Sequence, residues 1–443
     1  MKILFILPEY YPHSGGGIST YYLELIPAIK PYFTKIKVAV GSGYTQSEKS
    51  FIYEGIAVEY LKPHLYHQYL SKFNKFSIFP EVKANLAAAW AMWEQFKNED
   101  FDIIECTDFG LGFIPWIIHH KRPVTIRMHG STGQISDYDF QPEKQLAADF
   151  VKQTELLFFA KCDLLQTYSV ANQTFWQKQL PLQKIIHLYP VFNKTQQMAT
   201  YKTREPYGLV TGRIQQWKGP QIVCKAAEIL KNDMPKIHWF GRDMPFEKAG
   251  INMKQYLVNE YPKSWAVSIK AKPALPYPEI QKLQHNAKFG LIASIWDMFN
   301  FSCLEFMSAA TLTICSDGAG ASELIENEVN GFTYPAKDPV ALADLLQEIS
   351  SISQKKYELI AAKGQQTIRH KLAPEVLIPA YIAAYEKVIK GFISTETNNF
   401  MQNIYSPSDK NYTIDELLDL QPLKQLTIYN LKRLKNKISG LLN

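Results

Sequence analysis

The sequence predicts an α/β protein of two domains, each built around a parallel sheet. Apolar runs typical of buried strands, such as residues 2–7 and 289–295, are followed by turns rich in small residues and then by helical stretches. At 443 residues the chain is long enough for two ordinary domains. Ligands bind at the carboxyl ends of the strands in open α/β sheets, so a site is expected at the turns that follow these strands.

Composition indicates a globular protein, since 46% of the residues are hydrophobic and 20% are charged. No uninterrupted apolar run approaches the roughly 18 residues that a membrane span needs, and the apolar run at the N-terminus is too short for a signal peptide. The chain has five cysteines, Cys106, Cys162, Cys224, Cys303 and Cys315. Because they are scattered singly, they argue against a framework of disulfides or a zinc site and favour the reducing cytoplasm.

The charge is concentrated at the C-terminus. Residues 421–443 hold five basic residues and no acid, which leaves only +1 of the total +6 for the rest of the chain. A nucleic-acid groove is therefore not expected. Leucine and isoleucine recur in this tail at helical spacing: Leu431, Leu434, Ile438 and Leu441. Such a helix lies on an anionic membrane, docks on a partner or packs on its own domain, and the sequence leaves these alternatives open.

The stretch 294–323 is the richest in candidate site residues. Asp297 follows an apolar run, and Glu305 lies eight positions later on a predicted helix. A second apolar run then ends in Gly318-Ala319-Gly320, with another helix expected from Ala321. Helix N-termini with small residues offer free N–H groups to phosphate, and carboxylates accept hydrogen bonds from sugar hydroxyls. The predicted ligand is a nucleotide or a nucleotide sugar.

A second pattern lies earlier, where a predicted strand ends in Gly212-Arg213 and Lys218-Gly219 follows. An isolated surface arginine or lysine is usually just solvated. Two cations that flank a turn at the carboxyl end of a strand suit a diphosphate leaving group.

The N-terminal region contributes two weaker signals. The first strand leads into Gly15-Gly16-Gly17 and a helix expected near Ser19 or Thr20, which suits phosphate contact or simply a turn. His129 follows the predicted strand 123–128 and precedes Gly130, a position that favours function over a purely structural role. Asp137-Tyr138-Asp139 is interpreted as a solvated turn.

Together these motifs resemble family 4 of the retaining glycosyltransferases, whose signature is Glu-x7-Glu, a Gly-rich loop and a further Glu. The corresponding residues here are Asp297, Glu305, Gly318, Gly320 and Glu323. Asp297 replaces the first Glu, and Asn300 replaces a Gly of the intervening turn. Because asparagine tolerates left-handed backbone, the turn is expected to survive. The resemblance covers roughly residues 1–391 and is strongest over 207–335.

The resemblance implies the GT-B fold, with two Rossmann-like domains that face a central cleft. Residues 1–192 would bind the acceptor, and 207–373 the nucleotide sugar, with an inter-domain linker over 193–206. Residues 374–391 would form a helix that crosses back to the first domain. The polar and basic tail 395–443 is extra to the family. Residues 394–410 are polar and are expected to be mobile.

The resemblance also implies roles for individual residues. Arg213 and Lys218 would neutralise the donor pyrophosphate, His129 and Asp297 would contact the donor sugar, and Glu305 would bind the ribose. The other expected donor-binding residues are Gly16, Gly17, Gly212, Asn300, Phe301, Gly318, Ala319, Gly320 and Glu323.

The implied activity is a metal-independent, retaining transfer from a nucleotide sugar, without any cofactor, in the cytoplasm or peripherally at the inner face of the membrane. The acceptor would be a carbohydrate, lipid-linked or protein acceptor in bacterial cell-surface polysaccharide, glycolipid or glycoprotein synthesis. Two alternatives stay open. One is a non-catalytic GT-B subunit that stabilises a partner transferase, prompted by Asp297 and Asn300. The other is a nucleotide-sugar epimerase.

Overall fold

The computed structural model describes residues 1–10, 16–41, 49–139, 144–194, 201–246, 250–397, 399–409, 414–419 and 423–441. Gly15 of the predicted glycine loop and residues 195–200 of the predicted linker lie outside these ranges. We refer to the described residues between 1 and 194 as the N-terminal half, and to those between 201 and 372 as the C-terminal half.

The N-terminal half is built on an eight-stranded sheet with the order β3-β4-β2-β1-β5-β6-β7-β8. All neighbouring strands are parallel except β3 and β4, which form an antiparallel edge. The strands are β1 Lys2–Leu7, β2 Lys35–Val40, β3 Phe51–Tyr53, β4 Ile56–Tyr60, β5 Ile103–Thr107, β6 Val124–Arg127, β7 Leu164–Thr167 and β8 Ile185–His187. The central strands β5, β6 and β7 are buried along their whole length, as expected for a parallel sheet covered on both faces.

The C-terminal half contains a six-stranded parallel sheet with the order β13-β10-β9-β14-β15-β16. A two-stranded antiparallel ribbon, β11-β12, lies beside it. The strands are β9 Glu205–Thr211, β10 Ile237–Phe240, β11 Pro245–Phe246, β12 Ile251–Asn252, β13 Ile269–Lys272, β14 Ala287–Ile292, β15 Leu312–Ser316 and β16 Phe332–Tyr334. Because β9 begins at Glu205, the predicted linker 193–206 extends slightly too far.

Helices connect the strands and cover both sheets. They are α1 Gly17–Ile29, α2 Pro63–Ser71, α3 Pro80–Phe96, α4 Ile114–His119, α5 Thr132–Ile135, α6 Gln145–Phe159, α7 Val170–Gln179, α8 Pro220–Leu230, α9 Met253–Glu260, α10 Tyr277–Asn286, α11 Phe301–Ser308, α12 Pro339–Ser350, α13 Gln354–Leu372, α14 Pro374–Lys390, α15 Asn399–Tyr405, α16 Ile414–Asp419 and α17 Leu423–Leu441. The helix expected from Ala321 is only a 3₁₀ turn, Gly320–Leu324, so that prediction was wrong.

Helix α14 returns to the N-terminal half, which confirms the predicted crossover. The Tyr381 hydroxyl lies 3.1 Å from that of Tyr21 on α1. The Tyr385 hydroxyl donates to Glu105 Oε2 on β5 at 2.7 Å. Glu105 is fully buried with Arg127 of β6, whose guanidinium lies 3.3 Å from both carboxylate oxygens. The helix therefore completes the polar interior of the first sheet.

Part of the segment expected to be polar and mobile, residues 394–410, is ordered against the N-terminal half. Helix α15 buries Met401, Ile404 and Tyr405. The Trp90 indole donates to the carbonyl of Tyr405 at 2.8 Å. These apolar contacts offset the entropy of ordering the segment, so the expectation of mobility was wrong.

Within the described ranges, no helix combines the length and the apolar composition needed to cross a membrane.

Candidate functional site

The two cations predicted to bind a diphosphate follow β9 at the carboxyl edge of the second sheet. Arg213 is exposed, and Lys218 ends the 3₁₀ turn Gln216–Lys218. Gly219 then adopts left-handed backbone with φ of +77°, and a Cβ there would overlap the carbonyl oxygen of Ala293. The glycine lets the Arg213–Gly219 loop press against the end of the neighbouring strand β14, which brings Lys218 to the residues that follow β14.

Lys218 forms an ion pair with Asp297, and both side chains are largely buried, at 18% and 10% exposed. The contact is made to Asp297 Oδ2. The same oxygen accepts from Asn300 Nδ2 at 2.8 Å and from Ser294 Oγ at 3.3 Å. All the side-chain hydrogen bonds that the described residues donate to Asp297 therefore converge on one oxygen, and Oδ1 is left for a ligand.

Asn300 shapes the turn between Asp297 and α11. Its φ is +85°, the kind of backbone that the sequence led us to expect at this position. Its side-chain oxygen also accepts from the N–H of Cys303 at 3.3 Å, which caps α11. Asn300 thus replaces the usual glycine while adding a helix cap and a bond to Asp297.

Glu305 lies on α11, eight residues after Asp297 in the sequence. Gln284 Nε2 donates to its Oε2 at 2.6 Å. Burial raises the pKa of Glu305 to about 7, although Gln284 and the nearby charge of Lys194 favour the ionised form. Lys194 itself pairs with Glu24 of α1 at 2.7 Å and lies 4.5 Å from the ring centroid of Tyr277. Side chains of both halves therefore surround the Glu305 carboxylate.

Most N–H groups of the Gly318-Ala319-Gly320 loop, which we expected to be free for phosphate, are bonded within the protein. The N–H groups of Ala319, Gly320 and Ala321 donate to carbonyls of Ser316, Asp297 and Phe299 at 3.2, 3.1 and 2.7 Å. A Cβ at Gly318 would lie 2.7 Å from the carbonyl oxygen of Ile295. The loop therefore packs against the Asp297 segment and supports it, while the N–H of Gly318 donates to no group of the described residues. A phosphate contact at this loop stays a prediction.

Glu323 occupies a different place from the other predicted donor-binding residues. Its two carboxylate oxygens each accept a 2.8 Å hydrogen bond, from the N–H groups of Val170 and Ala171 at the start of α7. Glu323 therefore caps a helix of the N-terminal half and ties the two halves together, and the structure does not bring it to Asp297 or Glu305.

His129 follows β6 in the N-terminal half. The carboxylate of Asp108 accepts from the N–H groups of His129 and Gly130 at 2.8 and 3.0 Å, which fixes the backbone at this strand end. The Tyr168 hydroxyl lies 2.9 and 2.8 Å from the two ring nitrogens of His129. Burial and the nearby Arg127 charge hold the pKa of His129 well below its usual range, so the imidazole is neutral at pH 7.

The first helix and the donor segment meet across the two halves. A Cβ at Gly17 would lie 3.6 Å from the Phe301 ring, and one at Gly16 would lie 2.5 Å from Glu9 Oε1. The Phe301 ring is also 6.4 Å from the ring of Tyr168, the partner of His129. Gly17, Phe301 and His129 therefore belong to one junction, as the sequence analysis expected.

The loop Asp137-Tyr138-Asp139 is part of the same junction, so its interpretation as a solvated turn was wrong. The Tyr138 ring stacks on Trp296 with centroids 4.5 Å apart and planes at 5°. Gln215 Nε2 donates to Asp139 Oδ2 at 2.6 Å. The loop thus contacts both segments that carry the second-sheet site.

Sequence reasoning missed three charged residues near this junction. Arg242 follows β10 as Arg213 follows β9, and the two loops are joined by a 2.9 Å bond from the N–H of Ile214 to the carbonyl of Arg242. The second missed residue is Glu9. Burial raises its pKa, and the positive charges of Arg213 and Arg242 only partly oppose the rise. The third is Asp108. Its pKa is raised to about 7 by burial, against the two N–H donors. Asp108 and Arg242 lie just after strands, which was the signal available to find them.

Residues 192–367 match the family described as Glycosyl transferases group 1. A D-inositol 3-phosphate glycosyltransferase from Paenarthrobacter aurescens is 24% identical over 177 residues, which span 39% of this chain and 43% of that relative.

Solved structures with the same architecture span most of the chain. A sucrose-phosphate synthase from Thermosynechococcus elongatus superposes with a TM-score of 0.66 at 13% identity, covering 88% of this chain and all of that one. HepE from Anabaena, in complex with UDP-glucose, gives 0.58 at 18% identity over 87% of this chain and all of that one. The chain therefore has the GT-B fold, and its C-terminal half is similar to the group 1 glycosyltransferases.

Proposed function

We propose that the chain is a retaining glycosyltransferase that moves a sugar from a nucleotide-sugar donor to an acceptor held between its two halves. The observation that carries the proposal is the meeting of Lys218 and Asp297 beyond the adjacent strands β9 and β14, next to Trp296, whose ring stacks on Tyr138 of the N-terminal half. The acceptor would be a carbohydrate, lipid-linked or protein acceptor of bacterial cell-surface synthesis.

Arg213 and Lys218 would stabilise the negative charge that grows on the departing diphosphate. Both follow the same parallel strand, and Arg242 follows the next strand of the sheet. Fixed cations at this edge act on charge that develops in the transition state, and removing one such group typically costs about 100-fold to 1000-fold in turnover. Their support is electrostatic, so the step needs no proton from either residue.

Asp297 Oδ1 and His129 would hold the donor sugar from opposite sides. Because its ring is neutral, His129 contacts a hydroxyl as a hydrogen-bond partner and adds no positive charge near the anomeric carbon. Tyr168 and Asp108 orient the ring and the backbone of His129, respectively. We assign no enzyme nucleophile. The acceptor oxygen would bond to the anomeric carbon on the face from which the diphosphate leaves, as the bond from that carbon to the phosphate oxygen breaks. The hydroxyl proton would pass to the departing phosphate oxygen, and attack on this face retains the anomeric configuration.

The test is a screen of the full-length protein against UDP-, GDP- and ADP-sugars for release of nucleoside diphosphate. UDP-glucose comes first because HepE, which shares the fold, is described in complex with it. We expect slow release from one donor, unaffected by EDTA and lost in Lys218→Ala. The matched control is Lys225→Ala, which removes an exposed lysine from the adjacent helix α8. Equal loss in both variants would contradict a specific role for Lys218.

Retention is tested on the product once an acceptor is found. The anomeric proton coupling should match that of the donor, and an inverted anomer would contradict the proposed chemistry. Conversion of the donor into its epimer without diphosphate release would instead favour an epimerase.

A non-catalytic GT-B subunit is the second candidate, because the Lys218–Asp297 pair neutralises the cation most needed for a diphosphate. This candidate predicts no donor binding by the isolated chain. Calorimetric binding of any one nucleoside diphosphate, weakened in Lys218→Ala, would exclude it in favour of a functional donor site.

A further inference from the structure

The C-terminal helix α17 differs in character from the rest of the molecule. It runs from Leu423 to Leu441, which corresponds to a length of about 28 Å. The surrounding residues 421–443 carry five basic residues and no acid.

One face of α17 is apolar and open. Leu423, Leu431, Leu434 and Ile438 follow one another at spacings of eight, three and four residues, which places them on the same side of a helix. Their exposed fractions are 81%, 62%, 56% and 49%. Large apolar side chains grouped in this way mark a surface that another body covers.

The cations are arranged around this face. At 3.6 residues per turn, Lys435 lies along one border of the apolar stripe and Lys437 along the other. Both side chains are exposed. Lysines on both borders can extend toward charged headgroups while the leucines enter the acyl boundary, the arrangement typical of helices that lie in a membrane interface.

The chain that leads to α17 is fixed to the N-terminal half. Helix α15 is buried there, and the N–H of Ser408 donates to the carbonyl of Lys72 at 2.9 Å. Lys72 also pairs with Asp409 at 2.9 Å. A surface that binds α17 would therefore keep the N-terminal half, which contains His129, close to it.

We propose that α17 lies flat on an anionic phospholipid bilayer, with the four apolar residues of this stripe in the interface and Lys435 and Lys437 on the headgroups. The charge pattern favours a lipid surface over a protein groove, because Lys435 and Lys437 border the apolar stripe on both sides and residues 421–443 contain no acidic residue. The surface is separate from the donor site, so the proposal stands whether or not the chain transfers a sugar.

The test is sedimentation of the full-length protein with phosphatidylcholine vesicles that contain or lack phosphatidylglycerol. We expect binding to the anionic vesicles only, weakened by high salt. Leu431→Ser with Leu434→Ser should reduce the affinity roughly 100-fold. Lys435→Gln with Lys437→Gln should reduce it about 30-fold. The control is Leu182→Ser, which alters a leucine that is 100% exposed in the N-terminal half and should bind like the unaltered protein.

Three results would overturn the proposal. The first is equal affinity of the double leucine variant, and the second is equal binding to neutral vesicles. The third is no vesicle binding, together with a concentration-dependent dimer that the double leucine variant abolishes. That last result would identify a second copy of the chain as the occupant of the apolar face.

Discussion

The ionisation of Glu305 allows the proposed donor site to be tested through the pH dependence of nucleotide affinity. Burial raises its pKa to about 7 in the free protein. A carboxylate that accepts hydrogen bonds from the ribose hydroxyls is held ionised, so the pKa of Glu305 falls when a nucleotide binds. Nucleotide binding then releases a proton below pH 7, and affinity rises with pH until about 7 and levels off above it.

The expected size follows from the pKa of the free protein. At pH 6 about one tenth of the Glu305 carboxyls are ionised and at pH 8 about nine tenths, so affinity should be about tenfold weaker at pH 6. Raising a carboxyl pKa from 4.5 to about 7 disfavours the ionised form by about 3 kcal/mol. Two hydrogen bonds from ribose hydroxyls to a charged oxygen contribute about that much.

The assay is calorimetric titration of the nucleoside diphosphate that the screen identifies, between about pH 6 and pH 8 and in buffers of different ionisation enthalpy. The matched variant is Glu305→Gln, which keeps an acceptor for Gln284 and cannot titrate. Because a phosphate of the ligand itself titrates near pH 6, only the difference between the two proteins reports on Glu305. Parallel pH profiles, with equal proton release, would refute the assignment of Glu305 to the ribose.

Three further predictions concern stability. Arg127→Met leaves the Glu105 charge buried without its cation and should cost about 3–5 kcal/mol in urea unfolding. Tyr385→Phe, which removes one hydrogen bond to the same charge, should cost about 2 kcal/mol, and equal losses would contradict this. Asn300→Ala loses a cap and strains a backbone with φ of +85°, so it should cost about 2 kcal/mol. Asn300→Gly should cost less than about 1 kcal/mol in urea unfolding. A larger loss of stability for the glycine variant than for the alanine variant would show that backbone strain is not the cause. Glu323→Ala should cost about 1 kcal/mol by uncapping α7 and should leave nucleotide affinity unchanged. Weaker nucleotide binding with unchanged stability would instead show that Glu323 binds the donor and does not cap the helix.

Most strands could be predicted from the sequence because buried parallel strands are continuous apolar runs, as in β1 and β14. The short turn at Gly320–Leu324 could not, since its N–H groups bond back to the residues after β14 instead of continuing into a helix. Helix α15 was missed for a related reason. Its buried residues stand among polar neighbours in the sequence, and only tertiary contacts, such as those of Tyr405 with Trp90 and Phe158, show that they belong to the core.

For the site, too, the sequence predicted positions along the chain but not the contacts made there. Arg213, Lys218, His129 and Asp297 were predicted as site residues because each follows a strand, and the structure places each of them after the carboxyl end of one. What each side chain bonds to was not predictable, because those partners come from distant parts of the chain. Glu323, for example, finds its partners 153 and 152 residues earlier, at the start of α7.

The Lys218–Asp297 pair bears on the choice between an enzyme and an inactive subunit. A Lys ammonium has three donors, so Lys218 can keep its bond to Asp297 and still donate to a phosphate oxygen. Asp297 receives Lys218, Asn300 and Ser294 on Oδ2, so a sugar hydroxyl can bond to Oδ1 without displacing any of them. The shorter aspartate can therefore hold the cation proposed to bind phosphate and leave an acceptor for the sugar at the same time. We infer that the replacement of Glu by Asp is compatible with a functional donor site.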